Sequence, residues 1–187
     1  MTDLRAHFDS LFAADDDPWN YRSSWPERRR LDLFMAMLPR ETYDSVFEPA
    51  CASGSLTARL AIRARGLVAW DGSANALAHA QQYLAASPHV EFGHYLVPDH
   101  WPEATFDLVV LSDFLYYLPE QNIINVATLA AQALGPHGSI VACHWRGSAH
   151  DFRVAGGDSV HALLRDVLGA PSASALDTRH VIEVWTP

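Results

Sequence analysis

Glu48 closes an apolar run and is followed by a knot of small residues in the stretch VFEPACASGSL, positions 46–56. A chain thinned of side chains just after a strand lets its backbone approach a ligand closely. Asp71 ends the next apolar run, GLVAWD. An acid there, roughly 20 residues past the first loop, suits hydrogen bonding to ribose hydroxyls. A carboxylate is acceptor-only, so it can take both hydroxyl protons of a cis-diol. Each feature also has a plainer use. The small loop could be a tight turn, and Asp71 could be a helix N-cap, although Ser73 could serve there instead. Loop and acid in register with a sheet point to a nucleoside.

The loop also narrows the kind of nucleoside. Gly54 is its single glycine, and Ala50 and Ala52 carry methyl groups where a pyrophosphate would need the closest approach. The spacing is therefore wrong for a dinucleotide. It suits S-adenosylmethionine, which asks for ribose contacts, an adenine slot and an acid for its amino group. Glu48, Asp71 and the run Leu111-Ser112-Asp113 can supply these. Two candidate bases follow, Asp113 and His144. His144 is the better base by intrinsic pKa, and a satisfied core histidine is nearly as good a reading of it. His161 and Asp158 open a later helix and are expected to face the same mouth; Asp158 is most simply a helix N-terminal acid. Tyr116 and Tyr117 offer either a core edge or a wall of the site. His94 and His100 have no cysteine or acid at ligand spacing, so no metal is expected.

The elements that must hold these groups alternate. LRAHFDSLFA reads as a helix with Leu4, Phe8, Leu11 and Phe12 on one face. In SWPERRRLDLFMAMLP, Ser24 and Glu27 are spaced as a capping box, and Pro39 closes the helix. Strands are expected at 45–49, 66–71, 89–95, 106–113 and 139–145, with helices at 55–64, from Ser73, at 120–134 and around Val160 to Leu168. GPHG reads as a turn, and SALDTRHVIEVWTP as a closing hairpin. This implies an α/β, Rossmann-like doubly wound sheet, mostly parallel, in a single domain over 1–187. Ligands of such sheets bind beyond the carboxyl ends of the strands.

Composition sets the outer bounds. The chain has 187 residues, 49% of them hydrophobic, and a formal net charge of −9. An acidic chain lacks the basic stripe that nucleic acid requires. Two cysteines, Cys51 and Cys143, are too few for a disulfide scaffold and read as free buried thiols. The N-terminus has acids and no long apolar run, and no stretch is long enough to span a membrane. A cytoplasmic protein with no membrane partner is the expectation.

The segments VFEPACASGSLTARLA, AWDGSANALAHA, FDLVVLSDFLYYL and LGPHGSIVACHW resemble, in this order, the successive motifs of class I S-adenosylmethionine-dependent methyltransferases. With HFDSLFAADDDPWNYRSSWPERRR upstream, the chain is similar to the NodS-like family, typified by a nodulation protein that N-methylates a deacetylated chitooligosaccharide. The resemblance implies seven strands and a helical lid over 1–44, with the core at 45–187. It implies that Glu48, Ala50, Cys51, Ala52 and Gly54 line the methionine end of the cofactor. Asp71 would bind the ribose, with Gly72 and Ser73 beside the adenine and Leu96 where an acid often contacts it. Ser112 and Asp113 would close the sulfonium side, and Trp19 and Tyr21 would cover the cofactor. Substrate contacts are expected from Tyr116, Tyr117, His144 and His161. The acceptor would be a small molecule carrying an amine, an amino sugar or related intermediate. An O-methyltransferase using His144, or a protein that kept the fold without the chemistry, stays open, as do monomer and homodimer.

Overall fold

The computed structural model describes residues 4–186. These fall into two compact units, one running to Ala36 and resuming over Glu41–Leu96, the other made of Met37–Arg40 and the chain from Val97 onward. The first carries helices α1 (Leu4–Ala14), α2 (Trp25–Met37), α3 (Ser55–Ala61) and α4 (Ala74–Tyr83) with strands β1 (Tyr43–Pro49), β2 (Ala64–Asp71) and β3 (Val90–His94). The second carries β4 (Phe106–Ser112), a 3-10 turn at Leu115–Tyr117, α5 (Glu120–Gln132), β5 (Leu134–Trp145), α6 (Gly156–Leu168), β6 (Ala173–Leu176) and β7 (His180–Trp185).

The seven strands form one sheet in the order β3-β2-β1-β4-β5-β7-β6. β1 with β2, β2 with β3, and β4 with β5 are parallel, while β7 runs antiparallel to β5 and β6. This is the doubly wound α/β fold expected from the alternation of elements, closed by the expected hairpin. Continuous apolar runs make the central strands. Leu108, Val109, Val110 and Leu111 of β4 are fully buried, as are Val141, Ala142 and Cys143 of β5, the pattern of strands covered on both faces. Both cysteines are buried, and neither is in a disulfide. No helix among the described residues is long and apolar enough to cross a membrane.

Two of the boundaries that differ from the periodicity have a visible physical cause. The helix expected over 55–64 stops at Ala61. Arg63 is held elsewhere: its guanidinium donates to the Met35 and Glu41 carbonyls, and its own carbonyl accepts from Tyr43 N–H at the start of β1. The GPHG turn is absorbed into β5, whose register against β4 jumps from Phe106↔Leu134 to Leu108↔Ser139. The surplus residues form an irregularity at the strand's start, so turn residues mark a bulge there.

The turn after β1 concentrates left-handed backbone. Ala50, Ala52 and Gly54 all have left-handed φ, at 57°, 52° and 85°. A Cβ on Gly54 would stand 2.7 Å from Leu84 Cδ1. Gly54→Ala is expected to destabilise the fold by about 2 kcal/mol, from backbone strain and contact together. Ala52→Gly, relieving a left-handed alanine with no new contact, should leave stability unchanged or raise it by up to ~1 kcal/mol. Urea unfolding of the two variants reads both signs.

Candidate functional site

Asp71 organises the loops that follow β1 and β2. Its Oδ2 accepts the Ala52 N–H at 2.9 Å and its Oδ1 accepts the Ser73 N–H at 2.8 Å. One buried carboxylate therefore pins the loop after β1 to the turn after β2. Ser73, not Asp71, is the N-cap of α4, and its Oγ accepts from Ala76 N–H. Leu96 packs over Gly72, where a Cβ would lie 2.3 Å from Leu96 Cδ2. Asp71, Gly72, Ser73 and Leu96 are thus brought together with Ala52.

Glu48 lies in the same buried neighbourhood. It is 3% exposed, and its Oε2 has no hydrogen-bond partner; the same holds for the buried hydroxyls of Ser55 and Thr57. Buried polar groups are seldom left so, and each orphan asks for an explanation. Burial, with the charge of Asp71 adding, pushes the Glu48 carboxyl up to about 8. The neighbouring Thr57 hydroxyl offsets only part of this, since its geometry falls short of a hydrogen bond. Burial likewise raises the Asp71 carboxyl, the amides of Ser73 and Ala52 offsetting part of it. Burial, then Asp71 and Glu48, push the Cys51 thiol well up, so Cys51 is a neutral wall rather than a nucleophile.

Trp19 and Tyr21 sit in the N-terminal turn. Asp17 forms that turn by accepting the Tyr21 and Arg22 N–H groups. The two rings stack at 5.7 Å, and Trp19 also packs on Phe8 and Phe12. Tyr21 lines an open pocket with Ser55, Arg28 and Arg59. Nothing in the sequence pattern singled out the cations of that pocket. A further residue missed by spacing is Asp9 of α1, whose Oδ1 accepts from Ser73 Oγ at 2.8 Å and from Asn75 N–H at 3.2 Å.

The second unit carries the other candidates. Asp113 follows β4 with φ 54°, and its Oδ1 accepts the Trp145 N–H at 2.8 Å and the Tyr116 hydroxyl at 3.1 Å. Ser112 ends β4 opposite Cys143. Tyr116 stacks on Phe152 at 3.9 Å, and Tyr117 meets the edge of Phe152 at 5.1 Å. His144 is fully buried, with the Tyr116 ring across it at 5.5 Å. His161 was expected at a mouth but is also fully buried, because β7 offers it a partner. Its Nδ1 lies 2.8 Å from Glu183 Oε2, and its Nε2 lies 3.2 Å from His144 Nδ1. A carboxylate only accepts, so His161 donates from Nδ1 to Glu183 and turns its Nε2 toward His144. Burial would raise Glu183, but its bonds from His161 and Arg165 outweigh this and hold its carboxyl below the usual range. Asp158 is exposed and forks with Arg146 at 2.8 and 3.0 Å.

A raised carboxyl means that the folded state binds a proton the unfolded chain releases. Its stabilising contribution is full below about pH 4.5 and is lost as pH rises through about 8. The ligand-free protein should therefore lose stability between pH 5 and 8, with Asp71 acting in the same direction, and Glu48→Gln should flatten that slope. Thermal melts across this range measure it. Glu183 works the other way and only in acid, where its depressed carboxyl is finally protonated.

Relatives share this architecture. The family described as Nodulation protein S (NodS) matches residues 8–181. Nodulation protein S of Sinorhizobium fredii strain NGR234 is 28% identical over 163 residues, spanning 83% of this chain and 74% of the relative. A Pseudomonas syringae protein of solved structure, assigned as a methyltransferase, is 36% identical over 88% of this chain and all of its own, with a TM-score of 0.76. N-methyltransferase NodS of Bradyrhizobium japonicum WM9, solved with S-adenosyl-L-homocysteine, shares the fold at a TM-score of 0.84 and 22% identity over 97% of each chain. The match runs from within α1 to the first residues of β7, and this chain belongs to the NodS family.

Proposed function

We propose that the protein is an S-adenosylmethionine-dependent N-methyltransferase, with an amine of a small-molecule acceptor such as an amino sugar as its target. The supporting observation is the buried, unpartnered Glu48 Oε2, with the orphan hydroxyls of Ser55 and Thr57, beside a loop of left-handed residues. A cationic amino group would satisfy Glu48, and Arg28 and Arg59 in the pocket shared with Ser55 suit a carboxylate. Asp71 already holds two backbone amides and would receive the ribose hydroxyls on its remaining lone pairs. The donor set therefore fits this cofactor, which supplies a methyl group activated by a sulfonium.

The chain's own work is alignment and proton handling. Asp113 is the half-buried acid of the second unit, held at Oδ1 by Tyr116 and Trp145. In this reading its carboxylate orients the acceptor's ammonium and takes up its proton, freeing the nitrogen lone pair for attack. His144 lies behind Tyr116, which favours Asp113 over His144 as the group facing an acceptor and favours an amine over a hydroxyl. Phe152, stacked on Tyr116, would help exclude water.

Calorimetry with S-adenosylhomocysteine tests the cofactor reading. Micromolar binding is expected, lost at least tenfold in Asp71→Ala. Binding near pH 7 should release about one proton, because Glu48 must ionise to meet the amino group, so affinity should rise with pH up to about 8. The apparent enthalpy should then shift with the buffer's ionisation enthalpy. Absence of binding to wild-type protein overturns the proposal. Asp113→Asn should bind S-adenosylhomocysteine normally while kcat toward amine acceptors falls about 10²–10³-fold.

A further inference from the structure

The hydrogen bonds of the loops after β1 and β2 do not end at Asp71. They run from the Ala52 amide to Asp71, from Asp71 to the Ser73 amide, and from the Ser73 hydroxyl to Asp9 on the N-terminal helix. Asp9 Oδ1 also accepts the Asn75 N–H, and Asn75 Nδ2 donates back to the Asp9 carbonyl at 3.2 Å. Asp9 therefore sits at the N-terminus of α4, where backbone N–H groups lack helical partners and a carboxylate is favoured. Its carboxyl is held below the usual range, chiefly by the Ser73 hydroxyl and then by the Asn75 amide. Ser73 has one hydroxyl proton and gives it to Asp9, so its lone pairs face the Ala76 N–H that it caps. The orientation of Ser73 is thus set from α1 on one side and from Asp71 on the other.

Other contacts also hold α1, among them the Arg5 guanidinium, 3.4 Å from His94 Nε2. Phe12 is its one buried side chain, and its carbonyl lies 2.9 Å from the His79 ring. Phe8 and Phe12 carry Trp19, which carries Tyr21. Seating α1 therefore also seats the Trp19–Tyr21 turn.

We propose that Asp9 is a positioning residue for cofactor binding: through Ser73 it couples the seating of the N-terminal helix, and of Trp19 and Tyr21 with it, to the Asp71 carboxylate. This rests on Asp71 being the cofactor's ribose acid. Asp9 touches no cofactor in this arrangement. It keeps Ser73 from turning toward Asp71, so both Asp71 oxygens keep their backbone partners and their direction. A cofactor drawn to Asp71 tightens the seat of α1, and by reciprocity a seated α1 tightens the cofactor.

The test uses Asp9→Ala, with Asp9→Asn as a shape-preserving variant should the first fold poorly, and Asp71→Ala alone and combined. Binding of S-adenosylhomocysteine should weaken about tenfold in Asp9→Ala and less in Asp9→Asn. KM for S-adenosylmethionine should rise with kcat nearly unchanged. In the Asp71→Ala background, adding Asp9→Ala should cost almost nothing more. Wild-type affinity in both Asp9 variants, or a penalty that adds in full to that of Asp71→Ala, overturns the proposal and leaves Asp9 as a helix cap. If wild-type protein binds no S-adenosylhomocysteine, the methyltransferase reading fails instead. Hydrogen exchange then decides the coupling alone: faster exchange across Leu4–Ala14 in Asp71→Ala supports it, and unchanged exchange overturns it.

Discussion

A carboxylate taken out of water must find donors, and the first unit is arranged around that requirement. Asp71 sits buried at the carboxyl end of a parallel strand, where solvent does little to satisfy it. Its donors are the amides of Ala52 and Ser73, and these fix the two loops that follow β1 and β2. To bring the Ala52 amide there, the chain passes through three left-handed residues within five positions. To keep Ser73 there, the α4 N-terminus is shared between its own cap and Asp9. Strand end, strained loop, helix cap and N-terminal helix are consequences of one buried charge.

The two units partner their acids differently. In the second, Glu183 has His161 and Arg165, and Asp113 has Tyr116 and the Trp145 amide. Those acids stabilise what they touch. In the first unit Glu48 Oε2, Ser55 Oγ and Thr57 Oγ1 are buried without partners, and burial raises the carboxyls of Glu48 and Asp71 together. A fold keeps such groups at a cost of about 1–3 kcal/mol each unless a ligand completes them. The strain of the left-handed alanines lies in the same place. Destabilisation concentrated where polar groups converge is what supports the proposed cofactor site.

The histidines show how burial redirects a reading from spacing. The spacing places His161 at the mouth of a site and leaves His144 as either a base there or a satisfied core histidine. Both extend inward from Tyr116 to Glu183. Glu183 lies in a strand whose six residues are all buried. Its carboxylate is what makes a second buried histidine tolerable, and with Arg165 it forms a compensated network beneath the aromatic pair Tyr116 and Phe152.

The sequence by itself determined the alternation of strands and helices, the closing hairpin, the small loop with its acid partner and the cap at Ser73. These are local properties: hydrophobic periodicity follows from side-chain direction along each element, and a cap follows from the first unpaired amides of a helix. The position of Asp71 was legible for the same reason, as the last residue of an apolar run. Tertiary structure alone decided that Asp9 meets Ser73 across 64 residues, that His161 meets Glu183 across 22, and that Arg63 leaves its helix to bond Met35 and Glu41. Each of these is a hydrogen bond from one polar side chain to a group distant in the chain. One such residue leaves no periodic trace, so its partner is chosen by how the elements dock.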